Sequence, residues 1–528
     1  MNNRKNIIIG GAWPYANGSL HIGHIAGLLP GDIIARYYRA KGDNVYYVSG
    51  SDCFGTPITI RARQEGCSPE EISERYHREF CEVFSRLGFS YDLYTKTADP
   101  YHQRFVEDFH KKLYESEYIE EREVNQAFCP SCSKVLTDRL VVGKCPKCGA
   151  DTRGDQCDLC GEVLEADTVI SPKCSVCGSD IEFGRTKQLF LLISKLRREL
   201  EERTYYRKNA AAFTKRYIDE GLRDRAVTRD LDWGIRVPKE GYESKRIYIW
   251  AENVLGYLSA VSRICEEKGI DFLSVYGKDA DTRSYYVHGK DNIPFHTIIL
   301  PSLLLAHGGG VRLPDDIISS EYVTLDGSKI STSRGHAIWV KDLLDDYSAD
   351  AIRYFFIANG PEKRDTDFSL REFREQNNSE LVGAWGNFVN RTLAFSEKYL
   401  DGALPRVEID NEVRTTVSEL FESVGGKIER GSLKEALDDI FNAVRYANKY
   451  YDSRQPWKTR RENIEDCRAA IGNCVWLAAN LSVLLSPFLP FSSEKISGWL
   501  STKQTWEPQE VTAERINGTV SPLFPRID

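Results

Sequence analysis

Three short stretches hold side chains whose types and spacing suit chemistry on a charged substrate. The first is His21-Ile-Gly-His24, which follows Trp13-Pro-Tyr15-Ala-Asn-Gly. Two histidines three apart share a face if the chain there is helical. Gly23 removes a side chain where a flat or charged group would approach. The apolar run Ile7-Ile-Ile9 before it reads as a buried parallel strand, and a helix start after a strand is a ready anion site. The second stretch is Gly50-Ser-Asp52-Cys-Phe-Gly55-Thr-Pro57, a glycine-rich loop with one acid. Such loops at strand ends collect ligands in open α/β sheets; the competing role for Asp52 is a cap on the helix from Pro57. The third is Lys329-Ile-Ser331-Thr-Ser333, just after Asp326-Gly327.

A different chemistry lies between them. Residues 119–190 carry Cys129-x-x-Cys132, Cys145-x-x-Cys148, Cys157-x-x-Cys160 and Cys174-x-x-Cys177, eight of fourteen cysteines. Paired spacings in a large chain without a secretory signal point to metal rather than to disulfides. Glycines follow several pairs, as in Cys148-Gly149 and Cys177-Gly178, and free backbone N–H groups to turn toward sulfur. Four thiolates suit tetrahedral Zn²⁺, and an all-cysteine set leaves no open catalytic position. Two structural Zn²⁺ sites are therefore predicted. On spacing alone the pairs can combine sequentially or nest.

The two distant motifs together resemble the His-x-Gly-His and Lys-Met-Ser-Lys-Ser signatures of the class I aminoacyl-tRNA synthetases. The Pro14-Tyr15-Ala-Asn-Gly run resembles the methionyl branch of that class. The resemblance implies formation of methionyl-adenylate from ATP and L-methionine, then transfer to tRNA(Met), the initiator included. It implies that His21, Gly23, His24, Lys329, Ser331 and Ser333 bind ATP together with Mg²⁺, with His21, His24 and Lys329 catalytic. It implies a methionine pocket of Ala12, Trp13, Tyr15, Asp52, Trp250, Asn253, Tyr257, Phe295 and His296, Asp52 taking the α-ammonium group. A thioether packs well on such aromatic rings. Asn387, Arg391 and Trp457 match the anticodon-contacting positions; unpaired bases stack on aromatic and guanidinium planes. The resemblance also favours nesting of the cysteines: Cys145, Cys148, Cys157 and Cys160 on one ion, Cys129, Cys132, Cys174 and Cys177 on the other. The chain departs from the pattern at Thr332, where a second lysine is usual, at Trp13, where a smaller residue is common, and at Asn253-Val254.

The elements that must position these residues read as an α/β chain. A Rossmann-type parallel sheet is expected from strands near 6–10, 44–49, 245–250 and 285–287. Pro30 is expected to open the helix that ends at Gly42, because proline suits a first turn and breaks an interior. Amphipathic helices are expected at 69–87 and 101–118, an apolar helix at 297–307, and helices at 338–347 and 350–357. Residues 190–238 look helical and then polar, and helical patterning from 370 to 489 predicts an all-α bundle. The expected domains are a catalytic first half at 1–117, a zinc-knuckle insertion at 118–230 and a catalytic second half at 231–325. The Lys329 loop and stem follow at 326–370, then the anticodon-binding bundle at 371–528.

Composition sets limits. With 41% hydrophobic and 28% charged residues the chain is ordinary for a globular protein. A net charge of −8 argues against a uniformly basic coat, so RNA must meet local patches. One candidate runs from Lys195-Leu-Arg-Arg198 to Lys215-Arg216 around Tyr205 and Tyr206, with an ordinary solvated helix as the equal alternative. No apolar run of about 18 residues is seen, so no membrane span is expected, and the cytoplasm is the expected compartment. No DNA partner is expected, and a monomer is. Other class I synthetases fit less well: the branched-chain enzymes need an editing insertion, and the cysteine enzyme needs an active-site zinc. A tRNA-binding paralogue without catalysis would have no need of His21, His24, Asp52 and Lys329.

Overall fold

The computed structural model describes residues 4–136, 140–154, 157, 159, 160, 162, 164–330 and 336–528. Its centre is a five-stranded parallel sheet. β1 (Asn6–Gly11) lies in the middle, flanked by β2 (Asn44–Ser51) and then β3 (Leu93–Lys96) on one side. On the other side lie β4 (Thr282–Gly289) and then β5 (Asp316–Ser320). The order β5-β4-β1-β2-β3 is doubly wound, and its reversal beside β1 opens a crevice at the strand C-termini. Ile7, Ile8 and Ile9 are buried on both faces, as an unalternating apolar strand must be.

α1 (Ile22–Lys41) corrects the sequence expectation. It starts eight residues before Pro30 and carries Pro30 inside. Proline removes one N–H, which strands the carbonyl of Ala26 four residues back. Ser320 Oγ donates to that carbonyl at 3.4 Å, so tertiary structure supplies what the helix lost. α2 (Thr56–Glu65), α3 (Pro69–Arg86) and α4 (Pro100–Leu113) follow. Ser68 and Glu71 form a reciprocal cap on α3.

The expected sheet strand at 245–250 is also corrected. Only Arg246–Ile247 is extended, and it pairs antiparallel with Thr228–Arg229, outside the parallel sheet. Ile249–Glu252 already turns as helix, because β4 occupies the place beside β1 and this run is buried against the pocket instead. α5 (Gly256–Lys268) and α6 (Leu300–His307) cover the sheet, α6 entered through a π-helical turn at Phe295–Ile299.

Between α4 and α5 stands the insertion. Ile119–Cys129 and Glu182–Leu191 pair antiparallel along their length as a stalk. At its end lies a small three-stranded sheet of Val141–Lys144, Asp151–Arg153 and Ile170–Cys174. Its two small cores are built largely of cysteines with Leu136, Val141, Leu164 and Val169. Beyond β5, Val323–Leu325 pairs with Ser328–Lys329 as a hairpin and with Thr366–Phe368 in parallel. α7 (Ala349–Ala358) packs on α1. From Leu370 the chain is helical, through Asn387–Tyr399, Asn411–Glu429, Leu433–Arg454, Ile464–Leu485 and Pro490–Leu500. Ile464–Leu485 is long and apolar enough to cross a membrane, but the other helices bury it as the bundle's core.

Candidate active site and anticodon face

The crevice above β1 and β2 gathers the first two motifs. His21 caps α1: its Nδ1 accepts from Gly23 N at 3.1 Å, and His24 Nδ1 accepts from His21 N at 3.1 Å. Both Nδ1 atoms are thereby acceptors, so each neutral ring carries its proton on Nε2. Burial lowers His21 to about 4, and burial with the neighbouring His21 lowers His24 further. Two neutral N–H donors with ring centroids 3.9 Å apart thus flank a helix N-terminus. A Cβ on Gly23 would meet His21 at 3.0 Å. The segment after the Lys329 motif is stitched to this turn, with Ile22 N donating to Ile338 O and Val340 N to Leu20 O.

Lys329 lies on the outgoing strand of the hairpin, where its backbone pairs with Thr324. Asp326 and Gly327 at the tip have φ of 51° and 71°, the left-handed pair that a tight two-residue hairpin requires. Asp367 Oδ1 accepts from Gly327 N at 2.9 Å and from Thr324 Oγ1 at 2.7 Å, tying the tip to the stem strand. Ser331, Thr332 and Ser333 lie outside the described residues.

Asp52 does not cap the helix after Pro57; Gly55 holds that position. Instead its backbone meets the first motif, Asp52 N donating to Pro14 O and Ala16 N to Asp52 O. Its buried carboxylate accepts from Phe54 N at 3.1 Å and from Asn253 Nδ2 at 2.7 Å. Burial pushes its pKa well above the ordinary range, and Glu252, were it ionised, would push the same way. Ala12 is half-buried at the end of β1, its carbonyl accepting from Ser49 Oγ. Tyr15 bridges Asp52 in parallel register and is 42% exposed, so its ring sits at the mouth.

The aromatic set gathers around this acid. Trp13 lies between Gly50 and Gly256; a Cβ on either would come within 2.5 Å of its ring. Trp13 meets Tyr257 edge-on at 6.5 Å, and Trp250 meets Phe295 at 5.8 Å. His296 Nδ1 faces the Asn292 carbonyl at 2.8 Å, which only accepts, so Nδ1 carries the proton. Tyr257 O–H then donates to His296 Nε2 at 2.8 Å. Burial lowers His296 to about 4. The Tyr257 and His296 tips satisfy each other, the buried Trp13 Nε1 has no hydrogen-bond partner among the described residues, and ring faces remain for an apolar, polarisable group.

Sequence reasoning missed Glu252 and His102. Both are buried; His102 Nε2 lies 3.1 Å from Glu252 Oε2, and its Nδ1 2.8 Å from Ser259 Oγ. Ser259 spends its hydroxyl proton on Gly256 O, so Nδ1–H donates to Ser259 and Nε2 is left an acceptor. Glu252 must then donate, as a neutral acid. Burial raises Glu252 well above the ordinary carboxylate range, in the same direction. An acid beside Asn253 was visible; its burial was not.

In the bundle, Asn387 is exposed at the start of its helix. Arg391 lies over the Tyr451 ring at 4.2 Å and bonds Asp452 and Asn448. Trp457 is 45% exposed and sits 5.9 Å from Tyr451. The three form an accessible polar and aromatic face. In the 195–216 patch Arg197–Glu201, Arg198–Glu202 and Lys215–Asp219 pair along helices, Tyr205 is buried and Tyr206 is exposed.

The cysteines meet in the nested sets, 129/132/174/177 and 145/148/157/160, with every Sγ within 4.8 Å of the others in its set. Sγ–Sγ separations include 3.5 and 3.9 Å in the first and 3.6 and 3.8 Å in the second. A disulfide would need about 2.05 Å, whereas tetrahedral thiolates about 2.3 Å from a central ion stand about 3.8 Å apart. Either set could hold a metal ion.

Comparison with known proteins agrees with this geometry. Residues 7–393 match the family model of tRNA synthetases class I (M). A methionine--tRNA ligase of Bacillus mycoides is 51% identical over 99% of this chain and 97% of its own, and one of Alkaliphilus oremlandii is 50% identical with the same coverage. The fold matches Mycobacterium tuberculosis methionyl-tRNA synthetase in complex with methionyl-adenylate, with a TM-score of 0.82, 21% identity and coverage of 99% of this chain and 100% of that one. A matched catalytic region and relatives half identical from end to end place the chain in the methionine--tRNA ligase family of class I tRNA synthetases.

Proposed function

We infer that the protein activates L-methionine with ATP, releases pyrophosphate, and transfers the methionyl group to the 3′ end of tRNA(Met), initiator tRNA included. The observation that carries this reading is the shared crevice: a buried carboxylate at Asp52, an aromatic pocket in which the Tyr257 hydroxyl is spent on His296, and two N–H donors at a helix N-terminus. Methionine's ammonium group meets Asp52, and its thioether meets Trp13, Trp250, Tyr257, Phe295 and His296. Ala12, Tyr15 and Asn253 complete the wall. His21 and His24 donate from Nε2 to phosphate oxygens, and Gly23 lets them approach. Lys329, with Ser331 and Ser333, serves the departing pyrophosphate. Mg²⁺ bound with ATP offsets phosphate charge. No covalent nucleophile is required; positioning and charge stabilisation carry the reaction.

Asn387, Arg391 and Trp457 read the anticodon. The two cysteine sets hold structural Zn²⁺, for which their spacing and soft donors fit. The domain division at 117, 230, 325 and 370 assigns activation to the sheet and recognition to the bundle. The protein works as a cytoplasmic monomer.

Pyrophosphate exchange into ATP, run with each amino acid in turn, is the test. Exchange with methionine alone is expected; exchange with cysteine or leucine and none with methionine would overturn the reading.

A further inference from the structure

Resting on that reading, we propose that Arg371, Arg374 and Arg526 form a binding site for the phosphate backbone of tRNA between its two ends. The three arginines line one open cleft of about 630 Å³ with Glu375, Asn378 and Ser379. Arg371 and Arg374 are three residues apart and share a helical face.

Arg526 comes from far along the chain, and its backbone is held on both sides. Phe524 is buried beside Gly386, where an added Cβ would meet its ring at 3.3 Å. Asn377 Nδ2 donates to Pro525 O at 3.0 Å. Asn378 clamps Ile527, donating to its carbonyl at 2.6 Å and accepting from its N–H at 2.9 Å. The strap leaves the Arg526 side chain exposed at the cleft. Both asparagines lie where the helix widens into π geometry over Asn377–Gly386, a departure common at functional sites.

The charge is unspent. Among the described residues neither Arg374 nor Arg526 is in an ion pair, and Arg371 has only an exposed pair with Glu375, a type worth little. In a chain of net charge −8, such a cluster stands out. The other basic candidate, at 195–216, has three ion pairs of that same exposed kind along its helices. Guanidinium groups bind phosphate in forked pairs. Position favours RNA as the partner. The cleft lies on the helical run from Leu370 to Tyr399, which joins the strand Thr366–Phe368, paired with the Lys329 hairpin, to Asn387 and Arg391. A tRNA engaged at both places must pass along that run.

The test uses the full-length protein and a tRNA(Met) transcript. R374A/R526A should weaken binding at every salt concentration and flatten the dependence of log K on log salt by about 0.7–0.9 for each phosphate that is no longer neutralised. N378A, which frees the strap and removes no charge, should weaken binding in the same direction. Methionine-dependent pyrophosphate exchange without tRNA should not change in either variant, which also reports folding. If R374A/R526A keeps both the affinity and the salt slope, the proposal is overturned, whatever else the cleft binds. Failure of exchange with methionine in the unaltered protein would instead overturn the reading of function.

Discussion

Asp52 and Glu252 are two buried acids close enough to interact, and the hydrogen-bond directions divide their states. His102, fixed by Ser259, accepts from Glu252, so the proton sits there, and on the proposed function Asp52 is the ion that meets ammonium. Glu252→Gln keeps a neutral donor and should leave methionine kcat/KM and its pH profile nearly unchanged in pyrophosphate exchange. Asp52→Asn should lose on the order of 2–5 kcal/mol of that kcat/KM, the usual range for truncating one partner of a buried charge pair. An acid shift of the profile in E252Q would show that Glu252 is ionised and that its charge raises Asp52. Because Asp52 is held above the ordinary carboxylate range, activation should fall on the acid side at a higher pH than a free carboxylate would dictate. The types of these site residues were legible in the sequence, since His21, His24 and Asp52 stand in ordered motifs. Glu252, His102 and the tether from Asp367 were not, because burial and partners from distant segments make their roles.

At the scale of elements, one buried ion pair joins three of them. Arg353 on α7 bonds Asp32 on α1 at 2.7 Å, with both side chains fully buried, and also bonds the carbonyls of Leu87, Pro487 and Phe488. Asp32 further accepts from Arg36, Ser90 N and Ser90 Oγ. Arg353→Met removes one of the two guanidinium partners of a buried carboxylate, leaves Arg36 and Ser90, and should cost about 3 kcal/mol in denaturant unfolding, the lower end for a broken buried pair. Burial pulls Asp32 upward, yet Arg353, Arg36 and Ser90 leave it below its ordinary value. Its contribution is therefore complete above the unfolded carboxylate pKa and is lost as pH falls through the depressed folded value. The destabilisation of D32N relative to the unaltered protein should be full at neutral pH and shrink under strong acid; a pH-independent difference would refute this account. The insertion is held another way, by cysteine-built cores. Cys145→Ser should lower bound zinc from about two ions per chain to about one, by metal analysis, with methionine activation retained. Loss of activation with that single ion would mean that the insertion supports the pocket. Element types were largely readable, from Ile7–Ile9, the amphipathic run at 69–87 and the paired cysteines. The start of α1 was not, because the partner for Ala26 O comes from Ser320, nearly three hundred residues away. The 245–250 run also misled: apolar periodicity cannot tell a sheet strand from a segment buried against a pocket.

At the scale of the whole molecule, the proposed function puts activation and tRNA recognition on separate parts that one helical run connects. The crevice is built by β1, β2 and the ends of α1 and α5, while Trp457 and Asn387 stand exposed on the bundle. Amino-acid activation uses no tRNA, so the two functions should separate under mutation. Trp457→Ala removes an exposed stacking surface and should lose about 1–3 kcal/mol of tRNA binding, with pyrophosphate exchange nearly intact. His24→Ala removes one N–H donor from the phosphate site and should cost activation about 10²–10³-fold, the scale seen when one preorganised donor is deleted. Its tRNA affinity should hold, since that ring lies in the crevice and not on the bundle. Measuring both half-reactions for both variants gives four numbers with a crossed pattern. If W457A abolished exchange in the absence of tRNA, the indole would be supporting the fold rather than reading a base. That outcome would conflict with a side chain nearly half exposed, its ring 5.9 Å from that of Tyr451. A tRNA that must satisfy both ends at once gains from contacts between them, so W457A should bind less salt-sensitively only if its loss also lifts the RNA off the arginine cleft. An unchanged salt slope in W457A, with weakened affinity, would show that base stacking and phosphate binding act independently.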